Sequence, residues 1–212
     1  MKKILLLTLL PVAAMAAPSL KGFEKTYQNW DLICDNTGTC NMAGYPEGDG
    51  SEHSVSILFT RSAGEQAPVT AQLALLPDEL GNKTAEIILN GQSLGTIQNF
   101  SEEGNAKLSE KQTTELLTAL KGNASIEVIF GEFKEKVSDK GAAAAMLKMD
   151  EFQQRLNTPS ALIRQGQEKH AVLAPQAAPK IEAVSVNNRK TTELKRGEKQ
   201  FDTVLALLRK SN

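Results

Sequence analysis

The stretch WDLICDNTGTCNMAGY, Trp30 to Tyr45, contains both cysteines of this 212-residue chain. Trp30 to Cys34 reads as a strand, Asp35-Asn-Thr-Gly38 has turn chemistry, and Thr39 to Ala43 returns as a second strand. Cys34 and Cys40 therefore face each other across a hairpin. A thioredoxin-like redox pair needs C-x-x-C spacing beside a helix N-terminus, and Asp35 adds negative charge that disfavours a thiolate. A zinc site needs about four ligands, and the two histidines, His53 and His170, fall in a loop and a linker. An even cysteine count and the export signal below make Cys34–Cys40 a structural disulfide. So small a ring contributes only about 2–3 kcal/mol on the loop-entropy estimate, enough to pin a hairpin but not to hold a domain.

The chain opens MKKILLLTLLPVAAMAAPS, with Lys2 and Lys3 before the apolar run Ile4 to Val12 and an Ala14-Met15-Ala16 cleavage site. Residues 1–16 are thus expected to be a signal peptide. The run is shorter than the ~20 residues of a membrane span, and no cysteine follows the cleavage site to carry a lipid. A mature chain of 196 residues in the periplasm, soluble and oxidised, is the expectation. The net charge is −1, and the last 26 residues, Asn187 to Asn212, hold seven Lys/Arg against three Asp/Glu. A mildly acidic body with a basic tail has no bulk field that would recruit nucleic acid, and no later segment forms an integral membrane span.

Outward from the hairpin, Val55, Ile57 and Phe59 share one strand face, as do Val69, Ala71, Leu73 and Leu75. Asn90-Gly91 between apolar runs signals a type I′ hairpin. Ser109 with Gln112 forms a capping box ahead of Leu116, Leu117 and Leu120, and Gly122 marks the helix end. Ala124 to Phe130 and Phe133 to Val137 pair through a tight Gly131 turn. A second helix is predicted from Gly141 to Leu156, with Ala142, Ala145, Met146, Met149, Phe152 and Leu156 on one face. The fold expected is α+β: a mostly antiparallel sheet or sandwich packed by two helices and stapled once. It covers residues 17–166. An Ala/Pro-rich and basic linker follows over 167–197, and 198–212 forms an amphipathic helix with Phe201, Val204, Leu205 and Leu208 on its stripe.

No catalytic fingerprint emerges. The loop Gly48 to Ser54 clusters Asp49, Ser51, Glu52 and His53, which a hydrolase could use if the fold converged them, but no Gly-x-Ser-x-Gly elbow accompanies it. There is no phosphate-binding loop, no dinucleotide fingerprint and no EF-hand ladder. No metal or cofactor is implied, and low aromatic content argues against stacking platforms for nucleic acid or sugars.

Two segments together, Trp30 to Gly44 and Lys140 to Gly166, resemble the bacterial exported domain-of-unknown-function 1176 family. The residues that carry the resemblance are Trp30, Asp35, Asn36 and Gly44 with the two cysteines, then Gly141, Met149, Asp150, Glu151, Gln153, Arg155 and Thr158. The resemblance implies a Gly-Ala-rich helix running into an Ala161-Leu162 strand, and glycines where this chain has Gln154 and Asn157. It also implies a longer protein with a second cysteine-bearing region, so that 198–212 would begin a missing second domain and this chain would be a truncated member. The front half is distantly similar to the invasion-associated locus B family of periplasmic proteins. The resemblance to the 1176 family brings no activity with it and bears on fold and location.

The expected function is therefore that of a non-enzymatic binding or interaction module of the cell envelope. Its partner would be an envelope protein or a small ligand. A small-ligand carrier with a pocket between the sheet and the Gly141 helix is the alternative, and a hydrolase using 48–54 is the third reading.

Overall fold

Each apolar alternation becomes a strand with one face turned inward. The computed structural model describes residues 20–48, 55–76 and 84–178. In chain order its elements are β1 (Phe23–Tyr27), β2 (Trp30–Cys34), β3 (Cys40–Gly44), β4 (Val55–Arg61), β5 (Val69–Leu75), β6 (Ala85–Leu89) and β7 (Gln92–Ile97). Then come β8 (Asn105–Lys107), α1 (Glu110–Ala119), β9 (Ile126–Phe130), β10 (Phe133–Val137) and α2 (Ala142–Phe152). One antiparallel sheet has six strands in the order β1-β2-β3-β4-β5-β8, and a second has four in the order β10-β9-β6-β7. The α+β sandwich with two helices and one hairpin disulfide is thus present. The polar strands β1 and β8 carry little apolar signal and were not anticipated.

The hairpin signals hold at atomic detail. Cys34 and Cys40 are register partners, joined by a 2.07 Å S–S bond. Asn90 and Gly91 have φ of 51° and 81°, the paired positive values of a type I′ turn. Ser109 caps α1 through its side chain, with Gln112 returning the bond. Buried residues of both sheets and both helices join one apolar cluster, from Trp30, Phe59 and Leu73 to Leu116, Val128 and Met146. The space expected for a ligand between sheet and α2 is occupied instead. Ala142, Ala145, Met146 and Met149 are wholly buried, and the helix contacts β1, β2 and β3.

Two expectations around α2 are corrected. The helix stops at Phe152, four residues short of Leu156. Gln154 adopts φ 56°, its N–H bonds to the Glu151 carbonyl, and the Arg155 N–H bonds to the Asp150 carbonyl at 2.7 Å. That is a Schellman ending with glutamine at the position usually held by glycine. The Ala161-Leu162 strand is absent, because the amides of Leu162 and Ile163 bond to the Asp150 carboxylate instead of to a ladder. The compact unit that holds the described residues runs to Ala178. Residues 166–178 form a strap without regular structure. Its Leu173 N–H bonds to the Gln153 carbonyl, its Leu173 carbonyl accepts from Gly64, and its Gln176 N–H bonds to Thr37. The expected signal peptide, the 49–54 loop, linker residues 179–197 and the helix expected at 198–212 lie outside the described residues.

Candidate functional site: a buried polar clamp and the groove beside it

A charged residue on the inward parity of a strand needs a buried partner. Arg61 continues the inward row of Val55, Ile57 and Phe59 at the end of β4 and is 1% exposed. Its partner is Asp150 on α2, wholly buried, with Arg61 Nη2 2.7 Å from Asp150 Oδ1. Asp150 Oδ2 accepts the Leu162 and Ile163 amides at 2.7 and 3.0 Å. Gln153 lies one turn later on the same side. Its Oε1 accepts from Arg61 Nε at 2.6 Å, and its Nε2 donates to the carbonyls of Gly38 and Arg61. The clamp thus ties the disulfide hairpin, β4, α2 and the following loop together.

Arg155 forms the second half. Its Nη1 donates to Ser160 Oγ at 2.9 Å and the Glu65 carbonyl at 3.2 Å, and its Nη2 donates to the Gly64 carbonyl. Burial, reinforced by the nearby Arg61 charge, pulls the guanidinium down to about 10, with Asp150 and Glu65 opposing. Burial also lowers Arg61, against the raising effect of Asp150. Arg155 Nε is the one buried side-chain polar atom without a partner among the described residues. Thr158 Oγ1 donates to the Arg155 carbonyl at 2.7 Å. Over this half opens a groove of about 640 Å³ whose walls include Glu65, Thr158, Ser160, Glu168 and His170. On the strap, His170 Nδ1 lies 3.4 Å from Glu168, and its Nε2 lies 3.0 Å from the Gln154 carbonyl.

Two chemical consequences follow. With three donors on its two oxygens and no exposure to solvent, Asp150 is out of reach of a substrate proton. Among the described residues, no cluster of three or more His, Cys, Asp or Glu residues could hold a metal ion. The clamp orders backbone.

Residues 24–208 match the model of the family described as "Protein of unknown function (DUF1176)". The chain belongs to that family. A solved structure, the crystal structure of invasion associated protein B from Bartonella henselae, is similar at a TM-score of 0.42 and 16% identity. That similarity covers 62% of this chain and 99% of the other. A comparison with curated proteins finds no match.

The positions on which the resemblance rested fall into four structural groups. Asp150, Gln153, Arg155 and Thr158 come together in the clamp. Trp30 is wholly buried, donates from Nε1 to the Ser138 carbonyl at 2.8 Å, and covers Gly44 so closely that an added Cβ would lie 2.3 Å from its ring. Gly141 has φ 97° and sits where a Cβ would fall 1.8 Å from the Tyr27 carbonyl oxygen. Met149 fills the core beneath α2. Asp35 organises the hairpin turn, its Oδ1 accepting from the amides of Thr37 and Thr39 at 2.8 and 3.0 Å. Asn36 and Glu151 stay on the surface, Glu151 pairing with Lys148 at 3.1 Å. Sequence reasoning missed Arg61, although an arginine in phase with three inward apolar residues was the available signal. Asp49, Glu52 and His53 lie outside the described residues.

Proposed function

We propose that this chain is an exported periplasmic protein that works by binding within the cell envelope and not by catalysis. The observation that carries this reading is the full burial of the Asp150 carboxylate within the clamp. Asp150, the buried carboxylate of the described residues, is spent on Arg61 and two backbone amides. A general base or nucleophile needs an accessible lone pair facing a substrate, and this residue offers none. Export is supported by the charged, apolar and small-residue leader of residues 1–16. It is supported independently by a disulfide, a bond that persists in oxidising compartments.

The test uses the full chain in its own cells. Osmotic shock should release it with an N-terminus near Ala17 and the intact mass of the oxidised form. Recovery in the cytoplasm with its leader and two free thiols would end the export reading. For the binding half, Glu52→Gln and His53→Ala should leave complementation of a deletion strain unchanged. Loss of complementation in a chain that still folds would restore the hydrolase.

A further inference from the structure

We propose that the groove at the β5–β8 end of the six-stranded sheet binds a neutral saccharide chain through the side-chain amides of Gln72, Gln98, Asn99 and Asn105. The proposal rests on the reading of the chain as a binding module and names its ligand class.

The groove encloses about 540 Å³ and is lined by those four amides with Ser101 and Lys107, a size within the roughly 300–1,000 Å³ of ligand sites. The side chains of Gln72, Gln98, Asn99, Asn105 and Lys107 make no hydrogen bond or ion pair with another described residue. An isolated exposed amide merely binds water, but here four such residues line one concavity, their side chains without a protein partner among the described residues. Gln72 and Lys107 are cross-strand partners on the sheet's outer face, and Asn105 is the partner of Ala74. Gln98 and Asn99 enter from the connection after β7, Asn99 with φ 60°. Each amide offers two donors and one acceptor in a plane, the complement of hydroxyls that both give and take hydrogen bonds. Lys107 is the one charged residue of the lining, and its ammonium can donate to the same hydroxyls.

The backbone excludes the competing occupant, an extended peptide added as a further strand. Leu75 N–H bonds to the Gly104 carbonyl and Leu108 N–H to that of Ala71. In an antiparallel ladder this leaves Asn105 and Lys107 with their polar groups directed to the free edge. The Asn105 carbonyl accepts from Ser101 N–H at 2.8 Å, and Asn105 N–H donates to Ser101 Oγ at 3.3 Å. Only Lys107 retains an open edge, too little for a strand to join. With no aromatic in the groove lining to stack a sugar ring, binding is weak, in the millimolar range.

The experiment titrates the isotopically labelled, oxidised full chain with chitotetraose, with cellotetraose and with a blocked extended tetrapeptide, following backbone and side-chain amide resonances. At least one saccharide should shift Gln72, Gln98 and Asn99 saturably. The double variant Gln72→Ala/Gln98→Ala should bind about tenfold or more weakly with an unchanged urea midpoint. If the double variant is unstable, Gln98→Ala alone, outside the sheet, must still weaken binding. No shift at these residues with either saccharide overturns the proposal, as does a peptide that titrates there instead or an affinity untouched by the variants. Cleavage of a bound saccharide would uphold the groove and overturn the non-catalytic reading. Silence of both saccharides beside intact complementation and export would overturn the groove alone.

Discussion

At Asp150, one carboxylate oxygen holds Arg61 and the other holds two amides, with both charged side chains out of solvent. Removing one partner of such a pair strands the other, so Asp150→Ala should lose about 3–5 kcal/mol of unfolding free energy in urea titration. Arg61→Ala combined with Asp150→Ala should cost less than the two singles added, by about 0.5–3 kcal/mol. Strict additivity would mean that the pair is not coupled. Asp35 is the exposed counterpart. Its slight burial raises the carboxyl, but hydrogen bonds from the Thr37 hydroxyl and from the Thr37, Thr39 and Gly38 amides outweigh this and hold it below its usual value. A carboxyl depressed in the fold stabilises fully above its unfolded value of about 3.9, and that contribution fades as pH falls through the folded one. Asp35→Ala should therefore cost about 1 kcal/mol at pH 7, limited by solvent screening. The gap to the parent should close in acid, and a gap independent of pH would contradict the assignment.

At the scale of elements, the hairpin of β2 and β3 is more than a stapled turn. Its Gly38 carbonyl accepts from Gln153, its Thr37 carbonyl accepts from Gln176, and Leu173 packs against Gly38. The disulfide therefore holds the seat on which the 166–178 strap lies. Replacing both cysteines with serine should cost about 2 kcal/mol by loop entropy. It should also speed limited proteolysis within the strap before the sheets are cut. Cleavage that begins elsewhere would show that the strap does not depend on the staple. The ending of α2 carries a similar lesson. A 3.6-residue apolar period extends to Leu156, but period alone cannot register a chain reversal at Gln154 and Arg155. The need of Asp150 for amide donors turns what resembled a following strand into a loop.

Across the whole molecule, the two sheets share one core, and the single tryptophan reports on their junction. Trp30 belongs to the six-stranded sheet, while its indole N–H bonds to Ser138, just past β10 of the other sheet. Tryptophan emission and far-ultraviolet circular dichroism should thus trace one coincident urea transition. Separated midpoints would mean that the sheets unfold independently. By itself the sequence determined the hairpins, the two helices of the described residues, the disulfide and the inward strand faces, because these rest on local periodicity, turn chemistry and caps, while the family entered through the resemblance of two segments. The resemblance drew attention to Gly44 and Gly141 without a reason, since the Trp30 ring and the Tyr27 carbonyl that exclude a side chain arrive from distant segments. Only the tertiary structure decided the pairing of Arg61 with Asp150, the docking of the strap and the gathering of Gln72, Gln98, Asn99 and Asn105. The physical reason is the same in each case: desolvation and hydrogen-bond satisfaction depend on which surfaces meet, and residues far apart in sequence meet only through the fold.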